Sequence, residues 1–490
     1  MIKMFKSQPN KHKHETFFRE ILDQLLLGAV FDGIDRSAPV LRWKNPDELS
    51  KLISLELPKK PQTLEEVKEF LLNVVHYSVK TGHPHFVNQL FSSLDPFGLI
   101  GQIVTDTLNP SVYTYEVAPV FTLLEMELLK EMRSIIGWEK GDGVFCPGGS
   151  FANFYGISCA RYRFSPDIKE EGLSGRKLVL FTSVDAHYSV KKGTFLLGIG
   201  TKNLVLIRTD KQGRMDPTDL EMRIKESIDK DLEPFAVVAT AGTTVLGAFD
   251  PILPIANICS KYRLWLHVDA AWGGGALMSQ KHRWLLRGVA RADSITWNPH
   301  KLLAAPQQCS VFLTKHESIL QDSNSASATY LFQKDKFYDT KWDVGDKYLQ
   351  CGRRADVLKL WTMWIGKGSE GLEEHVNTLF DVAKATVDEI KSRPENFKLV
   401  LTTPEFVNVC FWYIPKRLQG QENSLDYNEN LHKIAPKIKE RMIKEGTMMV
   451  TYQPLGTRPN FFRLVYQNSE LTCHDATFFL DEIDRLGRDL

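Results

Sequence analysis

The feature that most constrains the fold is a series of short apolar segments in the middle of the chain. They are KLVLFTS (177–183), NLVLIRTD (203–210), PFAVVATAGTT (234–244), LWLHVDAAWGG (264–274) and SITWNPHK (294–301). The last three recur about every 28 residues, with helical patterns between several of the segments, as expected for strand–helix–strand units. Apolar strands that are covered by helices are typical of a parallel sheet buried on both faces. The sequence therefore predicts an α/β protein with a mostly parallel sheet.

The flanking regions have different patterns. Residues 1–95 are predicted to be a helical segment, as in PQTLEEVKEFLLNVVHYSV (61–79). After about residue 365 a helical pattern gives way to alternating strands, which predicts a smaller α+β domain at 366–490. The large domain is therefore expected at 96–365. Within it, Asp250 and Pro251 predict the start of a helix capped by the aspartate, with Ile255, Cys259 and Tyr262 on its buried face.

Composition excludes several classes of protein. The chain of 490 residues has 61 Lys and Arg against 60 Asp and Glu, so no net field favours nucleic acid or a membrane surface. No apolar run reaches the ~20 residues that span a bilayer, and the basic start lacks the apolar centre of a secretion signal. The seven cysteines are scattered and fit a reduced, cytoplasmic protein. No metal site is predicted.

Polar residues at the ends of the predicted strands suggest one binding site. Parallel sheets bind ligands at the carboxyl ends of their strands. The residues found there are Gly149 and Ser150, His187, Thr243 and Thr244, Asp269, and Asn298 to Lys301. Pyridoxal 5'-phosphate would use all of them, because it combines an aldehyde, an aromatic ring with a basic nitrogen, and a phosphate.

Each part of this cofactor needs a different partner. The aldehyde needs an amine, which Lys301 has, and the protonated ring nitrogen needs a carboxylate, which Asp269 has. His187 can stack on one face of the ring while Ala271 leaves room at the other. The Gly-rich turn and following helix in CPGGSFANFYGISCARY (146–162) would supply backbone N–H groups to the phosphate.

Several motifs resemble one family of enzymes. They are YSVKTGHPHFVNQLFSSLD (77–95), CPGGS (146–150), AGTTVLGAFDP (241–251), HVDAAWGGG (267–275), NPHK (298–301), YLFQKDKFYDT (330–340) and YQPLGTRPNFFRLV (452–465). From about residue 20 to the C-terminus the chain resembles the group II pyridoxal phosphate decarboxylases of acidic amino acids. The resemblance implies fold type I and an obligate homodimer, with the N-terminal segment packed in the dimer and active sites shared between subunits.

The resemblance also implies roles for individual residues. Lys301 would be the cofactor lysine, Asp269 the partner of the pyridine nitrogen and His187 the stacking base. Further residues of the cofactor site would be Thr244 and Ala271 near the ring, and Ser150, Phe151, Asn298 and His300 near the phosphate. Some relatives have a serine in place of Ala152, so one phosphate hydroxyl is expected to be absent or replaced. Tyr330 would lie on a mobile catalytic loop at about 321–340, and Gln89 and Arg463 would hold the substrate's carboxylates.

Taken one at a time, these residues have simpler explanations. Lys301 could be a solvated loop residue, Asp269 a helix cap and His187 a hydrogen-bonded core histidine. Arg463 could form an ordinary ion pair. The glycine and threonine pairs could be a helix cap and a turn. It is their joint occurrence, in one order, that favours the cofactor site.

Two residues suggest which acid is the substrate. Phe91 replaces a serine typical of glutamate decarboxylases and should shorten the pocket, although one methylene is worth only ~1–3 kcal/mol. The sequence Pro-Gln-Gln that includes Gln307 resembles that of the insect-type aspartate 1-decarboxylases. Alternatively, Gln307 could merely pack at the dimer interface. The sequence therefore predicts conversion of L-aspartate to β-alanine and CO2, with cysteine sulfinate as second substrate.

Four alternatives remain open at this point. Cysteine sulfinate could be the main substrate, giving hypotaurine, or the enzyme could be a glutamate decarboxylase. A catalytically idle binding homologue and a transaminase are the other two. The intact Lys301, Asp269 and Tyr330 argue against the idle homologue, and the loop tyrosine argues against the transaminase.

Overall fold

The structure is a computed structural model that describes residues 11–53, 55–92 and 94–490. The first ten residues, which carry part of the expectation about a leader sequence, lie outside the described residues. The helices are α1 (Lys11–Leu25), α2 (Pro46–Leu52), α3 (Leu64–Tyr77), α4 (Pro96–Leu108), α5 (Pro119–Ile136), α6 (Gly149–Phe164), α7 (Ile168–Glu171), α8 (Tyr188–Leu196), α9 (Pro217–Asp229), α10 (Ile252–Tyr262), α11 (Ile319–Asn324), α12 (Val357–Ser392), α13 (Tyr427–Glu445) and α14 (Cys473–Gly487).

The strands form two sheets. They are β1 (Asp142–Cys146), β2 (Leu178–Ser183), β3 (Leu204–Ile207), β4 (Glu233–Thr240), β5 (Trp265–Ala270), β6 (Ser294–Trp297), β7 (Ser310–Thr314), β8 (Phe397–Leu399), β9 (Asn408–Tyr413), β10 (Thr451–Leu455) and β11 (Arg458–Val465). The large sheet has the order β1-β7-β6-β5-β4-β2-β3 and the small sheet the order β10-β11-β9-β8.

The large sheet confirms the predicted α/β class. The five apolar segments of the sequence are strands β2 to β6, and each hydrogen-bonded pair among them is parallel. Only β7 is antiparallel, and it joins β6 to β1. Every residue of β2, β5, β6 and β7 is buried, which explains why these strands are mostly apolar.

Contacts divide the chain into two compact units. The large unit comprises residues 94–384 and 401–410, and the small unit comprises the described part of 1–93 together with 385–400 and 411–490. The small sheet is antiparallel where β10 pairs with β11 and β8 with β9. The three-part division expected from the sequence stays a prediction.

Asp250 does not have the capping role predicted from the sequence. Pro251 occupies the N-cap position of α10, while the Asp250 carboxylate accepts the backbone N–H groups of Met215, at 2.6 Å, and Thr240, at 2.7 Å. Burial raises the pKa of Asp250 to about 7. The prediction of a cap was wrong because the carboxylate closes a tertiary contact between distant segments instead of a local one.

Two further findings concern the described residues. No helix among them is long and apolar enough to cross a membrane. The described part of the chain also holds no group of three or more His, Cys, Asp or Glu residues arranged to bind a metal ion.

Candidate functional site

A row of polar side chains lies on one face of the two central strands. His267 and Asp269 are two residues apart in β5, and their register partners in β6 are Ser294 and Thr296. Side chains two residues apart in a strand point to the same face of the sheet. All four are buried, with Asp269 the most exposed at 5%. An otherwise apolar sheet therefore contains a polar face at the predicted cofactor site.

Asp269 is held by two hydrogen-bond donors. Its Oδ1 accepts the backbone N–H of Ala271 at 3.1 Å, and its Oδ2 accepts the amide Nδ2 of Asn153 at 2.7 Å. Donated N–H groups stabilise an ionised carboxylate, especially one removed from water. Asp269 is therefore arranged to present a negative charge inside the large unit.

His187 lies immediately before α8 and caps it. Its Nδ1 lies 2.8 Å from the hydroxyl oxygen of Ser189 and accepts the Ser189 backbone N–H at 3.3 Å. Burial lowers the pKa of His187, the charge of Asp269 partly opposes this change, and the charge of Lys301 reinforces it. The His187 ring is therefore neutral near pH 7, and it lies within electrostatic reach of both predicted cofactor partners.

The start of α6 and the segment after β6 meet closely. Gly148 has a φ of +95°, and α6 begins at the next residue. A Cβ added to Gly149 would lie 2.6 Å from Nδ2 of Asn298 and 3.2 Å from Cβ of Ala271. A side chain at position 149 would displace the amide of Asn298, so the predicted phosphate residues Gly149 and Asn298 do converge.

Four other predicted residues of α6 and of the segment after β6 differ in their exposure. Ser150 and Phe151 are exposed in the first turn of α6. Ala152 is fully buried among apolar side chains of the core. His300 is also buried, and its Nδ1 lies 2.7 Å from the backbone oxygen and 3.1 Å from the backbone nitrogen of Cys309. Burial lowers the pKa of His300 to about 4, so its ring is neutral.

The segments around Lys301 and Thr244 are short turns held by local bonds. The backbone N–H of Lys301 donates to the carbonyl of Asn298 at 2.9 Å, and the Lys301 side chain is half-buried. Thr243 closes its turn by accepting the N–H of Ala248 at 3.0 Å, whereas the carbonyl of Thr244 accepts an amide from Asn408. Thr243 therefore has the structural role, which leaves Thr244 as the candidate for cofactor contact.

Tyr330 is on a loop that is anchored at both ends. At one end the N–H of Ala326 donates to Asp346 at 3.0 Å, and at the other Lys336 pairs with Asp343 at 3.0 Å. Between these anchors the Tyr330 side chain is 79% exposed. A segment with fixed ends and an exposed centre is suited to open and close.

The predicted substrate residues lie in the small unit. Arg463 is only 5% exposed, and its Nη2 donates to the carbonyl of Asn88 at 3.4 Å. The next residue, Gln89, has an exposed side chain, and Phe91 packs with its ring centroid 6.3 Å from that of Phe86. These residues form one group within the small unit, whereas the predicted cofactor residues belong to the large unit.

Gln307 lies at a cavity in the large unit. The cavity has a volume of about 430 Å³. Its lining consists of residues from three segments, namely Phe145, Cys146, Pro147, Gln307, Gln308, Gln350, Gly352, Arg353, Arg354 and Asp356. Arg353 is paired with Glu125, and Asp356 with Lys359. Gln307 thus contributes an exposed neutral amide to a lining whose charges are largely paired.

Sequence reasoning missed the hydrogen-bond partners of the predicted residues. Asn153 and Ser189 connect Asp269 with His187, and His267 and Thr296 support Asn153. One signal was present, because Asn153 follows Ser150 by about one helical turn. The alternation of His267 with Asp269 was a second signal of a shared face.

The arrangement fits pyridoxal phosphate on three structural grounds. The first N–H groups of a helix have no partner within the helix, and α6 begins beside Asn298. The Asn298 Oδ1 is buried and has no hydrogen-bond partner within the described residues. Lys301 and the buried carboxyl group of Asp269 both act electrostatically on His187. The fold and these groups together define a fold type I pyridoxal enzyme.

Comparison with known proteins identifies the family. A profile described as the pyridoxal-dependent decarboxylase conserved domain matches residues 46–414. The cysteine sulfinic acid decarboxylase of Homo sapiens is 52% identical over 478 residues, which cover 97% of each chain. The acidic amino acid decarboxylase GADL1 of Bos taurus is 49% identical over 97% of this chain and 91% of its own. The crystal structure of mouse CSAD matches with a TM-score of 0.96 and 49% identity, over 98% of this chain and all of the other.

The chain therefore belongs to the pyridoxal-dependent decarboxylases. Its cofactor is pyridoxal phosphate, and the reaction class is that of a carboxy-lyase. The predicted family and fold type I are both confirmed.

Proposed function

We propose that this enzyme decarboxylates a short acidic amino acid, with cysteine sulfinate as the preferred substrate and hypotaurine as the product. The observation that carries this proposal is the 52% identity, over 97% of both chains, with a cysteine sulfinic acid decarboxylase. The relative named acidic amino acid decarboxylase GADL1 supports the broader substrate class. These relatives favour the sulfinate alternative over the aspartate preference predicted from the sequence.

The proposed cofactor site uses residues of the large unit. Pyridoxal phosphate supplies, when bound, an aldehyde that takes up amines and a ring that accepts electrons. Lys301 would hold the aldehyde, and Asp269 would keep the ring nitrogen protonated. The N–H groups at Gly149 and Ser150, with Asn298, would hold the phosphate. His187 and Ala271 would flank the ring, and Thr244, Phe151 and His300 remain proposed neighbours.

Binding of an acid requires positive charge and a matched length. Arg463 is the proposed partner of a substrate acid group because it is a buried guanidinium beside the Asn88–Gln89 segment. Gln89 could donate its amide to the same substrate. Phe91 is the proposed limit on length, since a phenyl group occupies volume that a serine would leave open.

Tyr330 is the proposed proton donor. When CO2 is lost, the substrate Cα must take up a proton for the reaction to finish. The phenol of Tyr330 lies on an exposed loop with anchored ends, so loop closure would bring the proton and exclude water together. His187 is the alternative donor, although its neutral ring also serves as the stacking partner.

L-Aspartate remains a second candidate substrate because of Gln307. An exposed amide in a cavity of about 430 Å³ could donate a hydrogen bond to a planar carboxylate. A sulfinate resembles a carboxylate in charge and size, so one pocket could accept both.

A substrate panel on the purified holoenzyme tests this proposal. CO2 release is measured with cysteine sulfinate, L-aspartate and L-glutamate for the wild type, Phe91→Ser and Gln307→Leu. We expect the order sulfinate, aspartate, glutamate in kcat/KM, and a relative gain for glutamate in Phe91→Ser. We also expect Gln307→Leu to lower aspartate turnover more than sulfinate turnover.

Gln421→Leu is the matched control, because Gln421 is exposed and its side-chain amide donates to the nearby carbonyl of Arg417. Faster turnover of glutamate than of either shorter acid by the wild type would refute the proposal. An unchanged ratio of aspartate to sulfinate turnover in Gln307→Leu would refute the proposed role of Gln307 in binding aspartate.

We also propose that the enzyme is a homodimer with shared active sites. Within the single chain, α1 exposes Phe18 and Leu22, and α4 exposes Ile100 and Leu108. Apolar groups grouped on helices in this way are typical of surfaces that become buried on assembly. Sedimentation should give about twice the chain mass of 55.9 kDa. The cytoplasmic location stays a prediction.

A further inference from the structure

We propose that Asn153 is a positioning residue that joins Asp269 to His187 through one amide group. The inference rests on the roles proposed above for Asp269 and His187. Asn153 lies in the second turn of α6 and is 1% exposed. It contacts residues from β5, from β6 and from the start of α8.

The hydrogen-bonding capacity of this amide is fully used. Its nitrogen has two hydrogens, which donate to Oδ2 of Asp269 at 2.7 Å and to Oγ of Ser189 at 2.9 Å. Its oxygen has two lone pairs, which face Oγ1 of Thr296 at 2.7 Å and Nε2 of His267 at 3.1 Å. Turning the amide over would place its oxygen against the Asp269 carboxylate. The orientation of Asn153 is therefore determined by its neighbours.

Ser189 passes this orientation to His187. A hydroxyl has one hydrogen, and Oγ of Ser189 already accepts from Asn153. The Ser189 hydrogen is thus available for Nδ1 of His187, which also accepts the Ser189 backbone N–H. Nδ1 of the neutral ring is consequently an acceptor, and the ring proton lies on Nε2.

Hydrogen bonds also fix which nitrogen of His267 carries the proton that faces Asn153. Trp265 donates its indole N–H to the hydroxyl of Ser294 at 2.9 Å, and that hydroxyl lies 2.8 Å from Nδ1 of His267. With Nδ1 as acceptor, His267 carries its proton on Nε2 and donates it to Asn153. Burial lowers the pKa of His267 to about 4, which keeps this ring neutral.

One amide thus controls two proposed cofactor contacts. It stabilises the negative charge of Asp269 and selects the tautomer of His187. Replacing the amide should therefore alter cofactor binding and the pH dependence of the reaction together, which a purely structural residue would not do.

Three variants separate the contact of Asn153 with Asp269 from its contact, through Ser189, with His187. Asn153→Leu removes the amide donor. Asn153→Asp replaces it with a group of the same shape that donates only when protonated. Ser189→Ala removes only the hydroxyl that links Asn153 to His187. Asn203→Asp is the matched control, because Asn203, also in the large unit, donates its side-chain amide to the nearby carbonyl of Ile199 at 2.7 Å. Asp269→Asn tests the underlying role of Asp269.

The readouts are the cofactor dissociation constant and the visible absorption of the bound cofactor, each against pH. Thermal melting of the cofactor-free proteins checks that every variant folds. We expect Asn153→Leu to weaken cofactor binding about 10- to 100-fold, the range found when hydrogen bonds behind a ligand-holding side chain are removed at metal sites. Asn153→Asp should be equally weak at about pH 8 and recover towards about pH 6, because its carboxyl then donates to Asp269.

Ser189→Ala should retain cofactor affinity while the pH profile of kcat shifts. If Asn153→Asp binds cofactor as tightly as the wild type at both pH values, the inference is overturned. If it is weak without recovery at low pH, like Asn153→Leu, the donor role is also excluded. Failure of Asp269→Asn to weaken cofactor binding would instead refute the role proposed for Asp269. Asn203→Asp should match the wild type throughout.

Discussion

Gly156 allows the closest approach between α6 and the central sheet. A Cβ at this position would lie 2.4 Å from Nδ1 and 2.6 Å from Cε1 of His267. The imidazole has little freedom to move, since it contacts the side chains of Ser294, Asn153 and Thr296. We therefore expect Gly156→Ala to destabilise the protein although alanine favours helices.

The magnitude follows from two opposing contributions. Alanine in place of a helical glycine contributes up to about 1 kcal/mol of stability. Forcing a methyl group into a packed site costs ~1–3 kcal/mol, and each hydrogen bond lost by His267 costs a further ~1 kcal/mol. The free energy of unfolding should therefore fall by about 1–3 kcal/mol.

Urea unfolding of the cofactor-free protein, followed by circular dichroism, measures this change. Gly28→Ala is the matched control, because a Cβ at Gly28, in the helical turn Leu26–Phe31, would lie at an ordinary contact distance of 3.8 Å from Cγ1 of Val75. The control should be neutral or slightly stabilised. A Gly156→Ala protein as stable as the control would refute the argument that this glycine is required by His267.

Three further predictions concern other parts of the chain. Glu125→Gln should destabilise the enzyme by ~3–5 kcal/mol in thermal unfolding, because Arg353 would keep a buried charge without its counter-ion, whereas Glu429→Gln at an exposed pair should change little. Burial lowers the pKa of Lys439 to about 7, so the unfolded chain binds more protons than the folded chain above that pH. The free energy of unfolding should thus rise from about pH 7 to about pH 9, and Lys439→Met should reduce this rise. An equal rise in the wild type and in Lys439→Met would contradict the lowered pKa of Lys439. Tyr330→Phe should lower kcat ~10²–10⁴-fold and accelerate loss of activity during turnover while cofactor binding is retained; unchanged turnover would exclude the phenol as donor.

The central strands could be predicted well because their signal is local. Each of β2 to β6 is a short, mostly apolar run, which is the pattern favoured where a sheet is buried on both faces. Asp269, Asn298 and Lys301 could be selected because they follow such strands directly. The family resemblance then added roles that no single residue would support.

Contacts between distant segments were not predictable in the same way. Asn153 and Asp269 are separated by 116 positions. The helical spacing of Asn153 from Ser150 and the alternation of His267 with Asp269 each indicate a shared face, but neither indicates that the side chains of Asn153 and Asp269 meet. For Asp250, a local contact was predicted where the structure has a distant one. Its place before a proline suggested a helix cap, but its carboxylate accepts the N–H groups of Met215 and Thr240.

The sequence alone thus determined the α/β class, the family and the residue types that a pyridoxal cofactor needs. These follow from local hydrophobic patterns and from groups that lie directly at strand ends. Only the tertiary structure decided how those groups are oriented, through Asn153 for Asp269 and through Ser189 for His187. The reason is that a buried side chain takes its direction from hydrogen-bond partners, and chain folding rather than sequence spacing brings those partners together.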